Sequence, residues 1–112
     1  MTTVFIDGAA GTTGLEIRER LADHAGLDVV QLSGDKRKDP AARAEALNGA
    51  DVVILCLPDD AAKEAVALVT NPAVKVIDAS TAHRTAQGWT YGFPEMAPGQ
   101  RAAVAAASRV SN

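Results

Sequence analysis

The fold of this chain is decided by the stretch Val4-Phe5-Ile6-Asp7-Gly8-Ala9-Ala10-Gly11-Thr12-Thr13-Gly14 near its N-terminus. A short apolar strand leads into glycines at positions 8, 11 and 14, and a helical pattern follows them. Glycine lets the backbone turn sharply and approach a phosphate closely, while the N–H groups and positive dipole end of the next helix attract its charge. The spacing is G-x-x-G-x-x-G rather than the commoner G-x-G-x-x-G. Strand, turn and helix in this order predict a turn that binds the pyrophosphate of a dinucleotide.

Length and composition exclude several classes of protein. The 112 residues, 47% of them hydrophobic, suffice for one domain and are too few for two. The net charge of −3 and the lack of a basic stripe with interleaved aromatic residues argue against nucleic-acid binding. The longest apolar run, residues 52–58, is far shorter than the roughly 20 residues that cross a bilayer, so no membrane partner is expected.

The single cysteine, Cys56, excludes an internal disulfide and a four-thiolate metal site. No other metal-ligand spacing is visible in the sequence, so no metal is predicted. The N-terminus shows neither a basic segment nor a long apolar run of the kind found in secretory leaders. Together these features predict a cytoplasmic protein.

Strand-like runs rich in β-branched residues alternate with helical patterns. Strands are predicted at residues 3–7, 28–32, 51–57 and 74–79, with the start of another at 109–111. Helices are predicted from the glycine turn onward, at residues 40–48, from residue 59 to a stop at 71–72, and at 98–107. This alternation is typical of an α/β fold, a Rossmann-like doubly wound parallel sheet with helices on both faces, here as a single domain over residues 1–112.

In such a sheet the ligand lies at the carboxyl ends of the strands, so the turns that follow the strands form the candidate site. The turn after the second strand contains an acidic residue, Asp35, which would hold the ribose 2′-hydroxyl of NAD. It also contains three cations, residues 36–38, which would accept the 2′-phosphate of NADP. Three adjacent cations in an acidic chain favour NADP, and a solvated basic loop is the alternative interpretation.

Two reactive side chains receive different interpretations. Cys56 lies inside an apolar strand, where burial raises the pKa of a thiol, so core packing is expected rather than catalysis. His83 follows the fourth strand together with Ser80, Thr81 and Arg84. It would lie beside the glycine turn if the strand order is 3-2-1-4, and both a contact with cofactor or substrate and a structural role in the loop remain open. No Ser-His-Asp arrangement is visible.

Four longer motifs occur in a recognisable order. They are GAAGTTGL at residues 8–15, LCLPDDAA at 55–62, IDASTAHRT at 77–85 and YGFPE at 91–95. Together they resemble the N-terminal part of the N-acetyl-γ-glutamyl-phosphate reductases of the shorter bacterial type. The resemblance implies an oxidoreductase that reduces an acyl phosphate with NADPH to N-acetylglutamate semialdehyde in arginine biosynthesis, through a cysteine thiolate and a histidine. It also implies a homo-oligomer for the full-length protein.

The resemblance also implies roles for single residues in all of the predicted turns. Those at the pyrophosphate are Gly8, Gly11, Thr12, Thr13 and Gly14. Those around the adenosine 2′-phosphate are Ser33, Lys36 and Arg37. Those along the rest of the cofactor are Leu57, Pro58, Ser80 and Thr81. Arg84 is a weaker candidate for an anionic group of the substrate.

In the family that these motifs resemble, the nucleophilic cysteine follows Ser-Asn-Pro-Gly, and residues 111–112 match the start of that motif. No catalytic residue is therefore assigned within residues 1–112. The expectation is an NAD(P)-binding domain that ends before the catalytic cysteine and before the substrate and dimerisation domain, and that is inactive alone. The alternatives are a stand-alone dinucleotide-binding module without catalysis and a fragment of an aspartate-semialdehyde dehydrogenase, whose motifs match residues 83–84 and 91–95 less well.

Overall fold

The computed structural model of the chain describes residues 2–8, 12–32, 34–83, 87–92 and 98–111. The strands are β1 Thr2–Asp7, β2 Leu27–Val30, β3 Val52–Leu55, β4 Lys75–Asp78, β5 Thr90–Tyr91 and β6 Arg109–Ser111. The helices are α1 Thr12–Ala22, α2 Pro40–Gly49, α3 Asp59–Leu68 and α4 Gln100–Ala106, and a 3-10 helix spans Gly34–Lys38. Each β/α unit predicted from the sequence is present.

The strands form one sheet in the order β2-β1-β3-β4-β6-β5, and all neighbouring strands run parallel. The predicted doubly wound parallel α/β fold is confirmed, but the order 3-2-1-4 is wrong. β3 lies between β1 and β4, because Val4 pairs with Val52 and Val52 pairs with Lys75. Hydrophobic periodicity marks a strand without indicating on which side of β1 it is added. In the observed order β2 and β3 flank β1, so the carboxyl ends of β1 and β3 meet at the topological switch point, where this class of sheet binds its ligands.

The two faces of the sheet are buried under different helices, because successive side chains of a strand point to opposite faces. One face packs against α2 and α3. The most deeply buried residues of this layer, from the strands and the two helices, are Phe5, Leu47, Val53, Leu55, Ala62, Ala65 and Val76. The other face packs against α1, with Val4, Ile6 and Ile54 against Ile17 and Leu21. Ile17 and Leu21 lie four residues apart and thus form the inward stripe of α1.

The ends of α2 are fixed by side chains that suit those positions. Asp39 is the N-cap, its carboxylate accepts a hydrogen bond of 3.1 Å from the Ala41 N–H, and Pro40 occupies the first turn. Near the other end, the Asn48 amide donates to the carbonyl of Leu68 at 2.9 Å and its oxygen accepts from the N–H of Thr70 at 2.8 Å. These bonds join the C-terminal ends of α2 and α3. In the described part of the chain, no helix is long and apolar enough to cross a membrane.

Candidate dinucleotide-binding site

The glycine turn begins with a residue that only glycine can occupy. Gly8 follows β1 with a φ of +87°, and a Cβ built on it would lie 2.4 Å from the carbonyl oxygen of Cys56. The same Cβ would lie 2.8 Å from a methyl carbon of Leu57. Gly8 therefore lies directly against the residues that follow β3.

The element after this turn suits an anionic ligand. Helix α1 begins at Thr12 and its first turn contains no acidic side chain, so no carboxylate of its own competes for the N–H groups at that end. Gly14 is buried. Gly11 and the side chains of Thr12 and Thr13 lie outside the described residues. The bare backbone at Gly8 and the helix that follows fit the pyrophosphate of a dinucleotide.

An ion pair that the sequence analysis missed lies at the same end of β1. The guanidinium Nη2 of Arg43, on α2, lies 2.7 Å from Oδ2 of Asp7, and only 14% and 8% of the two side chains are exposed. The pair joins α2 to the strand residue that precedes the glycine turn. It crosses 36 residues of sequence, so no local pattern indicates it.

The turn after β3 contacts the turn after β4. Leu57 is half-buried, and exposed Pro58 occupies the N-cap position of α3. The carboxylate of Asp59 accepts hydrogen bonds from the N–H of Thr81 at 3.0 Å and from its hydroxyl at 2.5 Å. The hydroxyl bond is the largest cause of a lowered pKa at Asp59. The contact holds Thr81 at the N-terminal end of α3, at the carboxyl edge of the sheet.

A buried carboxylate organises the turn after β4. Asp78 is fully buried, and it accepts hydrogen bonds of 2.9 Å from both the N–H and the hydroxyl of Ser80. It also lies 2.5 Å from Nδ1 of His83, and the ring of His83 stacks on Trp89 at a centroid distance of 4.3 Å. Ser80 and His83 are candidates from the sequence and their partner Asp78 is not, although an Asp two residues before a Ser is a local signal for such a turn.

The predicted phosphate-binding cations lie at the other side of the switch point. Lys36 and Arg37 are exposed in the 3-10 helix that follows β2. Lys36 also lines an open groove of about 620 Å³ between β1, β2 and α2, with Leu32 and Ala46 in its wall. Their exposure leaves both cations accessible to a ligand.

The structure thus brings several predicted site residues to one edge of the sheet. These are Gly8, Gly14, Lys36, Arg37, Leu57, Pro58, Ser80 and Thr81. The hydroxyl of Ser80 is buried and bonded to Asp78, whereas Thr81 is exposed. Ser33 and Arg84 lie outside the described residues. Within the described ranges no group of three His, Cys, Asp or Glu side chains is placed to hold a metal ion.

Cys56 is only partly buried, which is less than its apolar neighbours in the sequence suggest. Its pKa is nevertheless raised, first by burial and then by the negative charges of Asp7 and Asp78. The thiolate is the nucleophilic form of cysteine, so a raised pKa keeps this thiol unreactive at neutral pH.

We expect Cys56 to react with iodoacetamide at pH 7.5 more slowly in the native chain than in the same chain in urea. Each unit by which the pKa rises lowers the thiolate fraction about tenfold at a pH below the pKa. The native rate should increase as the pH rises toward and past the ordinary thiol pKa. Equal native and denatured rates at pH 7.5 would show that neither burial nor the two carboxylates raise the pKa of this thiol.

The comparison with protein families agrees with this geometry. The family model described as "Semialdehyde dehydrogenase, NAD binding domain" matches residues 3–104. The chain belongs to this family. The semialdehyde dehydrogenase domain therefore binds a nicotinamide dinucleotide, as the glycine turn predicts.

Curated relatives confirm the resemblance to N-acetyl-γ-glutamyl-phosphate reductases. The domain is 60% identical over 109 residues to the protein of that name from Mesorhizobium japonicum, covering 97% of this chain and 35% of the relative. It is 61% identical to N-acetyl-gamma-glutamyl-phosphate reductase 2 from a Nostoc species, covering 97% of this chain and 34% of the relative. The chain thus spans about a third of the length of these relatives.

Solved structures share the fold of the domain. Aspartate semialdehyde dehydrogenase from Francisella tularensis superposes with a TM-score of 0.77 at 16% identity, over 99% of this chain and 36% of that one. Aspartate semialdehyde dehydrogenase II from Vibrio cholerae superposes with a TM-score of 0.69 at 15% identity, over 100% and 38% of the two chains. At these identities the likeness shows the fold alone.

Proposed function

We propose that this domain is the NADP-binding portion of an N-acetyl-γ-glutamyl-phosphate reductase, which reduces N-acetylglutamyl phosphate to N-acetylglutamate semialdehyde in arginine biosynthesis. The observation that carries the proposal is the 60% identity over 97% of the chain to a reductase of that name. The domain spans about a third of that relative. We place the nucleophilic cysteine, the catalytic histidine and the substrate and dimerisation domain in the remaining part of the protein.

The residues of this domain would bind and orient the cofactor, which supplies a hydride when bound. Gly8 and the N-terminal end of α1 would hold the pyrophosphate at the switch point. Lys36 and Arg37 would hold the 2′-phosphate beyond β2, together with Ser33. Leu57, Pro58 and the turn that contains Thr81 would line the other half of the cofactor. A hydride passes only to a carbonyl that is fixed beside it. We propose that the residues that fix the carbonyl lie in the remaining part of the protein.

The full-length protein should reduce NADP⁺ in the presence of phosphate and N-acetylglutamate semialdehyde, because the reaction runs in both directions. Residues 1–112 alone should show no turnover above background. Turnover with aspartate semialdehyde instead would favour the aspartate-semialdehyde dehydrogenase alternative. Dinucleotide binding by the full-length protein without reaction on either semialdehyde would favour a binding module without catalysis.

Replacing Lys36 and Arg37 with alanine should weaken NADP binding by roughly 1–3 kcal/mol, because charge-assisted hydrogen bonds to the 2′-phosphate are lost. NAD binding should stay nearly unchanged. Arg20 and Lys75 provide a matched control, since both are exposed cations near the opposite edge of the sheet, in the last turn of α1 and at the start of β4. Titration calorimetry with both cofactors checks the result, and equal losses for NADP and NAD would rule out a phosphate clamp.

The proposal includes a cytoplasmic location and a homo-oligomeric full-length enzyme. A single cysteine needs no oxidising compartment, which is consistent with the first. The substrate of the complete enzyme would be a small acyl phosphate. The net charge of −3 does not favour nucleic-acid binding.

A further inference from the structure

The strand order determines where the two halves of a dinucleotide can lie. The glycine turn lies at the switch point between β1 and β3, and the cations of the 3-10 helix lie beyond β2 on one side. With the adenosine half on that side, the nicotinamide half extends over β3 toward β4. The element at that position is the turn after β4, residues 80–83.

This turn, which we name the β4 turn, is held by carboxylates from two directions. Asp59, at the start of α3, accepts both hydrogen bonds that Thr81 donates. Asp78, at the end of β4, accepts from Ser80 and lies against Nδ1 of His83. The two ends of the turn are therefore fixed before any ligand arrives.

The geometry points to Asp78 and His83 as positioning residues, which fix the β4 turn beneath the nicotinamide half of the cofactor; this inference rests on the proposed function. Nδ1 of His83 lies within hydrogen-bond distance of Oδ2 of Asp78, so Asp78 fixes this edge of the ring when Nδ1 bears the proton. Stacking on Trp89, with the planes 15° apart, sets the orientation of the ring. The guanidinium carbon of Arg109 lies 5.8 Å from the centre of the Trp89 ring. His83 thus joins Asp78 of β4 to Trp89 before β5, and Trp89 in turn lies against Arg109 of β6.

A buried hydroxyl lies beside this cluster on the neighbouring strand. Ser111 is the register partner of Asp78 on β6, it is fully buried, and its hydroxyl has no hydrogen-bond partner among the described residues. Buried hydroxyls in native proteins are almost always partnered. The partner of the Ser111 hydroxyl beside Asp78 is therefore expected outside the described residues.

Substitutions in the full-length enzyme separate positioning from simple stability. His83→Ala removes both the hydrogen bond and the ring, whereas His83→Asn keeps an N–H donor near the position of Nδ1. We expect His83→Ala to raise the Kd and KM for NADPH about tenfold, as the loss of one ordering hydrogen bond allows. The KM for the acyl phosphate should change less than twofold, and His83→Asn should recover most of the NADPH affinity.

Val74→Ala is the control for stability. Val74 is a buried core residue before β4, at the edge of the sheet opposite the β4 turn. The variants are compared by NADPH fluorescence titration and by initial rates, at a temperature where thermal melts show all of them folded. Val74→Ala should keep the wild-type Kd for NADPH.

Three outcomes decide the inference. A raised Kd for NADPH in His83→Ala with rescue in His83→Asn supports it, even if the wild type reduces a different substrate, in which case only the proposed reaction fails. Unchanged Kd and KM for NADPH in His83→Ala overturn it while leaving the proposed reaction intact. No rescue by His83→Asn also overturns it, because a donor to Asp78 would then not be what positions the turn.

Discussion

Replacing Gly8 with alanine should destabilise this domain by about 2–5 kcal/mol, through backbone strain and a steric clash. A left-handed conformation costs an alanine about 1–2 kcal/mol. The new Cβ would also meet the carbonyl oxygen of Cys56 at 2.4 Å, so the end of β3 would have to move. Forced overpacking of this kind typically adds about 1–3 kcal/mol. We expect the melting temperature to fall by roughly 8–20 °C, since each kcal/mol shifts it by about 4 °C in a domain of this size.

Gly26→Ala separates backbone strain from the steric clash. Gly26 has a φ of +86°, nearly the same as that of Gly8, but a Cβ built on it meets no atom within 4 Å. Its substitution should therefore cost only the strain of about 1–2 kcal/mol. Thermal melts of the two variants side by side measure the difference. Equal melting temperatures would show that the glycine turn does not lie against β3.

Gly8→Ala should also abolish dinucleotide binding at temperatures where the variant is still folded. Gly8 lies at the switch point, and moving the end of β3 displaces Leu57 as well as the turn itself. Titration of the folded variant with NADPH checks this result. Wild-type affinity in a folded Gly8→Ala variant would exclude the glycine turn as the pyrophosphate site.

Local chemistry made most of the fold predictable from sequence. The Asp39-Pro40 pair marks the start of α2 because a capping carboxylate and a proline in the first turn both favour a helix there. The stripe that contains Ile17 and Leu21 identifies the buried face of α1, because that face packs on the sheet. β5 has only two residues, too few for a periodic pattern, and it was not predicted.

Contacts between distant segments could not be predicted in the same way. The position of β3 beside β1 depends on pairing between strands that are separated in sequence by α1, β2 and α2. Arg43 looks in the sequence like any surface cation of an amphipathic helix, and only the packing of α2 places it against Asp7. The bond between Asp78 and Ser80 spans two residues and was open to prediction, whereas the stack of His83 on Trp89 depends on the path of the loop.

Replacing Arg43 with methionine should destabilise the domain by about 3–5 kcal/mol, because a buried carboxylate loses the charge that balances it. Methionine keeps much of the apolar stem, so the loss reports the charge rather than the volume. Urea denaturation of the wild type and the variant measures it. The ion pair between Arg20 and Glu16 provides the matched control, since its atoms are 2.9 Å apart but 76% and 59% of the side chains are exposed. Arg20→Met should cost less than about 1 kcal/mol.

A double-mutant cycle with Asp7→Asn shows whether the penalty comes from the uncompensated charge. Asparagine has no charge to balance, so the variant with both substitutions should be less destabilised than the sum of the single variants. If Arg43→Met is as stable as Arg20→Met, water reaches Asp7 and the ion pair is not buried. Because Asp7 directly precedes Gly8, the folded Arg43→Met variant should also bind NADPH more weakly. The double variant should recover affinity together with stability, since the uncompensated charge at the end of β1 is then removed.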